Sequence, residues 1–131
     1  MSKAPFSGHF LRRKDARRRI NCDAVIERRD VSRKIEIVDF SNTGLRIDKL
    51  TGLATGDRVT IVLTPHLSIE GTIAWLVWHK AGVRLSSPLR ETDPVYRYLT
   101  DRAAELEQSH VRAIAALAQQ HTIKAKSPDT N

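Results

Sequence analysis

Residues 67–85, LSIEGTIAWLVWHKAGVRL, decide the fold. Leu67, Ile69, Gly71, Ile73, Trp75 and Val77 recur at every second position, the period of a strand with one face on a core. A tight connection over residues 79–82 then returns the chain into a second alternating pair, Val83 and Leu85. Strands joined this closely run antiparallel. Gly71 in mid-strand predicts a bend or bulge. Trp75 shares parity with Ile73 and is placed in the core, whereas Trp78, three positions on, is placed on the opposite, outward face.

The same period repeats upstream. Ile20, Cys22, Ala24 and Ile26 mark a first strand, Ile35 and Ile37 a second, Leu45 and Ile47 a short third, and Val59, Ile61 and Leu63 a fourth. Turn formers separate them: residues 39–44 (DFSNTG), a loop over 50–56 with two glycines, and Pro65-His66. Six short strands without intervening helices form an antiparallel sheet, and closing it removes the exposed edges. The fold class is therefore mainly β, a six-stranded antiparallel barrel over residues 12–90. Pro88 ends the sheet. Asp93-Pro94 offers an N-cap followed by proline at the first turn. Val95, Leu99, Ala103, Leu106, Ala113 and Leu117, spaced by three, four or more residues, put one or two amphipathic helices in a C-terminal segment, 91–122. The aperiodic ends, 1–11 and 123–131, read as a disordered leader and tail.

Composition narrows the function. A chain of 131 residues has room for one core, and 40% hydrophobic residues are enough to build it. The longest uncharged apolar run, TIAWLVW at 72–78, is far below the roughly 20 residues a membrane span needs. No apolar secretory stretch follows the basic N-terminus, so the protein is expected in the cytoplasm, without membrane insertion. The single cysteine, Cys22, reads as a buried, inert thiol. The five histidines show no metal-ligand spacing, Ser41 lies in no nucleophile elbow, and the chain lacks a phosphate-loop motif. The reading is a binding protein, with no catalytic residue, metal or cofactor.

Charge is unevenly spread. Residues 1–34 carry eleven basic side chains against four acidic ones, an excess equal to the +7 of the whole chain. A basic excess confined to one end points to an anionic partner held there. Within it, Arg13 and Arg17 stand four apart, with Arg12 ahead. Guanidinium forks make charge-assisted bonds to phosphate oxygens and to the O6 and N7 acceptors of guanine. An isolated pair of this kind also reads as a solvated basic run. Asp39, Ser41 and Gly44 lie on the connection between strands two and three. A carboxylate accepts from guanine N1 and N2, a hydroxyl serves the same edge, and glycine permits positive φ and close backbone approach. An Asx-type turn uses the same residue types.

Together these positions resemble the PilZ domain, the bacterial receptor module for cyclic di-GMP. Its pattern is Arg-x-x-x-Arg before the first strand and Asp/Asn-x-Ser-x-x-Gly some twenty or more residues later, matched by Arg13, Arg17, Asp39, Ser41 and Gly44. Residues 71–75 (GTIAW) and 82–85 (GVRL) are similar to its late hairpin, with Leu85 where phenylalanine is more usual. The resemblance implies that Arg13 and Arg17 hold phosphate and guanine. Asp39 and Ser41 would read the guanine edge, and Gly44 would shape the turn. Arg12 occupies the position related in the family to binding one ligand or an intercalated pair, and arginine favours the pair. The implied function is a cyclic di-GMP receptor and adaptor whose arginine segment orders on binding and alters a surface offered to a downstream protein. Two other readings stay open: a basic barrel binding single-stranded nucleic acid, disfavoured by only seven aromatic residues, and a PilZ-fold interaction module that binds no nucleotide. The helix stripe can pack on its own barrel or pair with a second copy as a homodimer.

Overall fold

A computed structural model describes the backbone of residues 16–130 and the side chains through residue 119. Six strands and one helix follow in chain order: β1 (Arg18–Arg28), β2 (Val31–Phe40), β3 (Gly44–Asp48), β4 (Arg58–Thr64), β5 (Leu67–Val77), β6 (Lys80–Leu85) and α1 (Pro94–Thr130). The strands close into a barrel in the order β1-β2-β3-β6-β5-β4. Every pairing is antiparallel. The barrel expected from the alternation is the one found, followed by a single helix.

Inward-facing residues fill it. Ile26, Ile37, Leu45, Ile47, Ile61 and Ile73 are all but inaccessible, so the apolar half of each strand forms one core. Gly52 and Gly56, in the loop before β4, take positive φ of 80° and 95°, a backbone region where side chains are strained. Helix α1 lays Val95, Leu99 and Ala103 on the barrel. It also sets the Tyr96 ring edge-on to Phe40, with centroids 6.4 Å apart. Asp93 opens it differently from a simple cap. Its carbonyl accepts from Arg97 N–H, while its carboxylate turns back to accept from Arg90 N–H at 2.8 Å.

Four sequence expectations need correction. Trp75 is not core: it is 40% exposed, because the register of β5 against β6 slips between Ile73 and Trp75 and one extra residue turns the indole outward. Trp78 is outward, 88% exposed, but it sits in the β5–β6 turn at φ 58° and not on a strand. Gly71 marks neither bend nor bulge. It pairs regularly with Val59 and Leu85, and what requires glycine is the closeness of β6. Helix α1 also runs past the expected end of the helical segment at residue 122, through the expected tail, to Thr130. The 1–11 leader lies outside the described residues.

Cys22, on β1, is buried within hydrogen-bonding reach of Tyr98 on the helix. Burial pushes its thiol above the ordinary value, outweighing the Tyr98 hydrogen bond and the Arg102 charge that pull it down. The thiolate is the reactive form, so native protein should resist iodoacetamide at pH 8 while protein in denaturant is alkylated. Rapid labelling of native protein would contradict the buried assignment. The linkage has a definite sign. The raised thiol contributes its full share of stability below the pKa of the unfolded chain and loses it as pH climbs toward the folded value, so this residue weakens the fold only in alkali.

Candidate functional site

A slip in β2 builds the site. Ile35 and Ile37 face the core, and strict alternation would put Asp39 there too. Between Ile37 and Asp39, however, the register against β3 shifts by one residue. Phe40 then turns inward opposite Leu45, and Asp39 turns to the outer wall opposite Arg46. Its register partner on the other side is Arg19 of β1. One carboxylate thus stands in a row of arginines.

The geometry around Asp39 is specific. Arg17 Nε lies 3.3 Å from Oδ1, and Arg46 Nε lies 3.2 Å from Oδ2. Asp39 is 9% exposed, and its Oδ1 is buried without a hydrogen bond among the described residues, despite the nearness of Arg17. An acceptor held this way, next to cations that keep it in place, is ready for an N–H donor. Arg17 also reaches over Gly44. A methyl group there would meet the Val83 carbonyl oxygen at 3.0 Å and Arg17 Nη2 at 3.8 Å. Gly44 has no positive φ; the position needs space, which sets its contribution apart from that of a turn glycine.

Ser41 holds the turn. It is 3% exposed, its Oγ accepts from Thr43 N–H at 3.3 Å and Gly44 N–H at 3.2 Å, and its own N–H donates to the Gly44 carbonyl at 2.9 Å. The same loop is tied to the end of the barrel by Leu85 N–H to Thr43 O and Leu89 N–H to Asn42 O. The turn chemistry weighed against the ligand reading is thus present at Ser41, while Asp39 faces the wall. Arg17, Asp39, Ser41 and Gly44 come together; Arg12 and Arg13 lie outside the described residues.

Two residues of the wall are unexpected there: Arg46 lies outside the sequence motifs, and the alternation places Trp75, the end of the GTIAW stretch, in the core. Arg46 is found only through its register with Asp39. Trp75 reaches the wall only through the β5 slip: it pairs with Gly82, and its indole covers that glycine on the same outer face as Arg46. The wall therefore runs from arginines and a carboxylate to an exposed aromatic plane. A depression of about 700 Å³ among Ala24, Lys34, Lys49, Leu63 and Pro65 lies elsewhere and includes none of these residues. An open wall with a partly exposed indole offers an aromatic surface that the recess lacks.

Behind the wall, Arg18 points the other way. Its guanidinium meets Glu107 of α1 at 3.2 Å, so consecutive residues of the arginine segment touch the site and the helix. No helix among the described residues is long and apolar enough to cross a membrane.

A small closed barrel with this charged, aromatic-edged wall defines a binding module. The profile of the PilZ domain matches residues 11–100, and the chain belongs to that family, known as receptors for cyclic di-GMP. The match covers the barrel, the arginine segment and the start of α1. A search of curated proteins found no match.

Proposed function

We propose that the chain is a cytoplasmic cyclic di-GMP receptor that takes the dinucleotide on the outer wall of β2, β3, β6 and β5 and passes the event to a partner protein. The supporting observation is the meeting of Arg17 and Asp39 at 3.3 Å above Gly44, from motif halves more than twenty residues apart. Asp39 supplies the acceptor for guanine N1–H and N2–H. Arg17, already beside it, supplies donors for phosphate oxygens or for O6 and N7. The Trp75 indole offers a face on which a base can stack, a contact worth about 1–3 kcal/mol in nucleic-acid complexes. Arg12 and Arg13 complete the charge needed for a ligand with two phosphates. Ligand contact at Arg17 pulls on Arg18 and its Glu107 bond, giving α1 a route to sense occupancy.

Calorimetric titration with cyclic di-GMP, with GTP and a single-stranded oligonucleotide as controls, tests the reading. Saturable binding of the cyclic dinucleotide alone is expected. Arg17→Ala should weaken it about tenfold or more, since one charge-assisted hydrogen bond contributes about 1.5–3 kcal/mol. Equal binding by Arg17→Ala, or preference for the oligonucleotide, would remove the reading.

A further inference from the structure

Gly44 has a cation on each side. Arg17 Nη2 approaches from the arginine segment, 3.8 Å from where a methyl group would stand. Across the β3–β6 ladder, the register partner of Gly44 is Arg84. Val83 and Leu85 point into the core, so Arg84, exposed between them, stands on the outer face with Gly44. Its other register partner, Thr72, is uncharged, and the next residue in that row is Arg58. Arg17 and Arg46 share Asp39 as counter-charge. Arg84 has no hydrogen bond or ion pair among the described residues, not even with Glu70, two positions from Thr72 along β5. Two like charges beside a position that carries no side chain repel each other unless an anion lies between them.

We infer that Arg84 is a further nucleotide-binding residue: one phosphate of the dinucleotide sits in the space beside Gly44, with Arg84 closing on it from the β6 side and Arg17 from the arginine segment. The inference rests on the cyclic di-GMP reading. Arg84 belongs to neither motif half; only the barrel register brings it to the site. It stands on a rigid strand, so it forms the fixed jaw of a clamp whose other jaw is Arg17.

Titration of the folded full chain with cyclic di-GMP tests this. Arg84→Ala should bind about ten- to a hundredfold more weakly than wild type. Arg84→Lys should recover only part of the loss, because an ammonium lacks the two parallel donors. Arg58→Ala, one strand further along the same row, should stay within about threefold, and thermal melts should match wild type for all three. If Arg84→Ala bound like wild type while Arg17→Ala was weakened, the receptor reading would stand and the Arg84 assignment would fall. Equal losses from Arg84→Ala and Arg58→Ala would overturn it too, by showing only a general effect of charge. A wild-type chain that did not bind cyclic di-GMP at all would bring down both.

Discussion

Asp39→Ala should cost cyclic di-GMP binding about a hundredfold or more and leave the barrel folded. The sign of this effect is what makes it informative. Asp39 is the acid between Arg17 and Arg46, so removing it makes the wall more positive by one charge. A surface that attracts anions by charge alone, as a non-specific nucleic-acid binder does, would then bind more tightly. A surface that reads guanine loses the acceptor for N1–H and N2–H, two hydrogen bonds to a charged group worth about 1.5–3 kcal/mol each. Converted at 1.4 kcal/mol per tenfold, that loss exceeds a hundredfold and outweighs any gain in attraction. Folding should tolerate the change. The Arg17 and Arg46 side chains are 32% and 48% exposed, so water takes over when their partner goes. Side-by-side titration of wild type and Asp39→Ala, with circular dichroism to check the fold, decides it; tighter binding by the variant would refute guanine reading.

The strands were legible because their chemistry is local. Alternation at Ile20–Ile26, Val59–Leu63 and Leu67–Ile73 follows from a pleated surface with one face on a core; the first two match buried rows, and the third is partly buried at Leu67 and Ile69 and buried at Gly71 and Ile73. The motif residues were legible as residue types at fixed offsets. What could not be read was their direction. Asp39 and Trp75 both share parity with a core isoleucine two positions earlier, and both face out because one residue is inserted between them and that isoleucine in the ladder. Such a slip depends on pairing with another strand and leaves little mark on period. In both places it re-aims a side chain from the core onto the outer wall.

Arg46 and Arg84 escaped for a related reason. Neither belongs to a local motif, and an exposed arginine on a strand reads as ordinary solvation. Only the register places them beside motif residues, Arg46 against Asp39 and Arg84 against Gly44, across ladders that sequence offsets do not reveal. The apolar stripe of α1 was legible as a stripe, but not where its support ends. Leu99 and Ala103 are fully buried, while Val111, Ile114 and Leu117 are each at least 60% exposed. The helix thus carries apolar side chains beyond the barrel, on the element that Arg18 ties to the arginine segment.

Gly71→Ala and Gly82→Ala, the same change on neighbouring strands, should produce opposite phenotypes. At Gly71 the new methyl group would stand 2.6 Å from the Arg84 carbonyl oxygen and 2.7 Å from Val83 Cγ1. Backbone cannot swing aside, so β5 and β6 must separate where both line the core. Overpacking of this kind costs about 1–3 kcal/mol, and a backbone clash belongs at the upper end. At about 4 °C per kcal/mol, the melting temperature should fall by roughly 10 °C. At Gly82 the obstacle is the Trp75 indole, a partly exposed side chain that can rotate into water. Gly82→Ala should therefore melt close to wild type, shift the tryptophan fluorescence as the ring leaves its bed, and bind cyclic di-GMP about tenfold more weakly through the lost stacking face. Melting curves and titrations of the two variants separate the jobs of these glycines. A Gly82→Ala protein with unchanged spectrum and affinity would show that the indole contributes nothing to the wall, and a Gly71→Ala protein as stable as wild type would show that β6 is less closely held than its register requires.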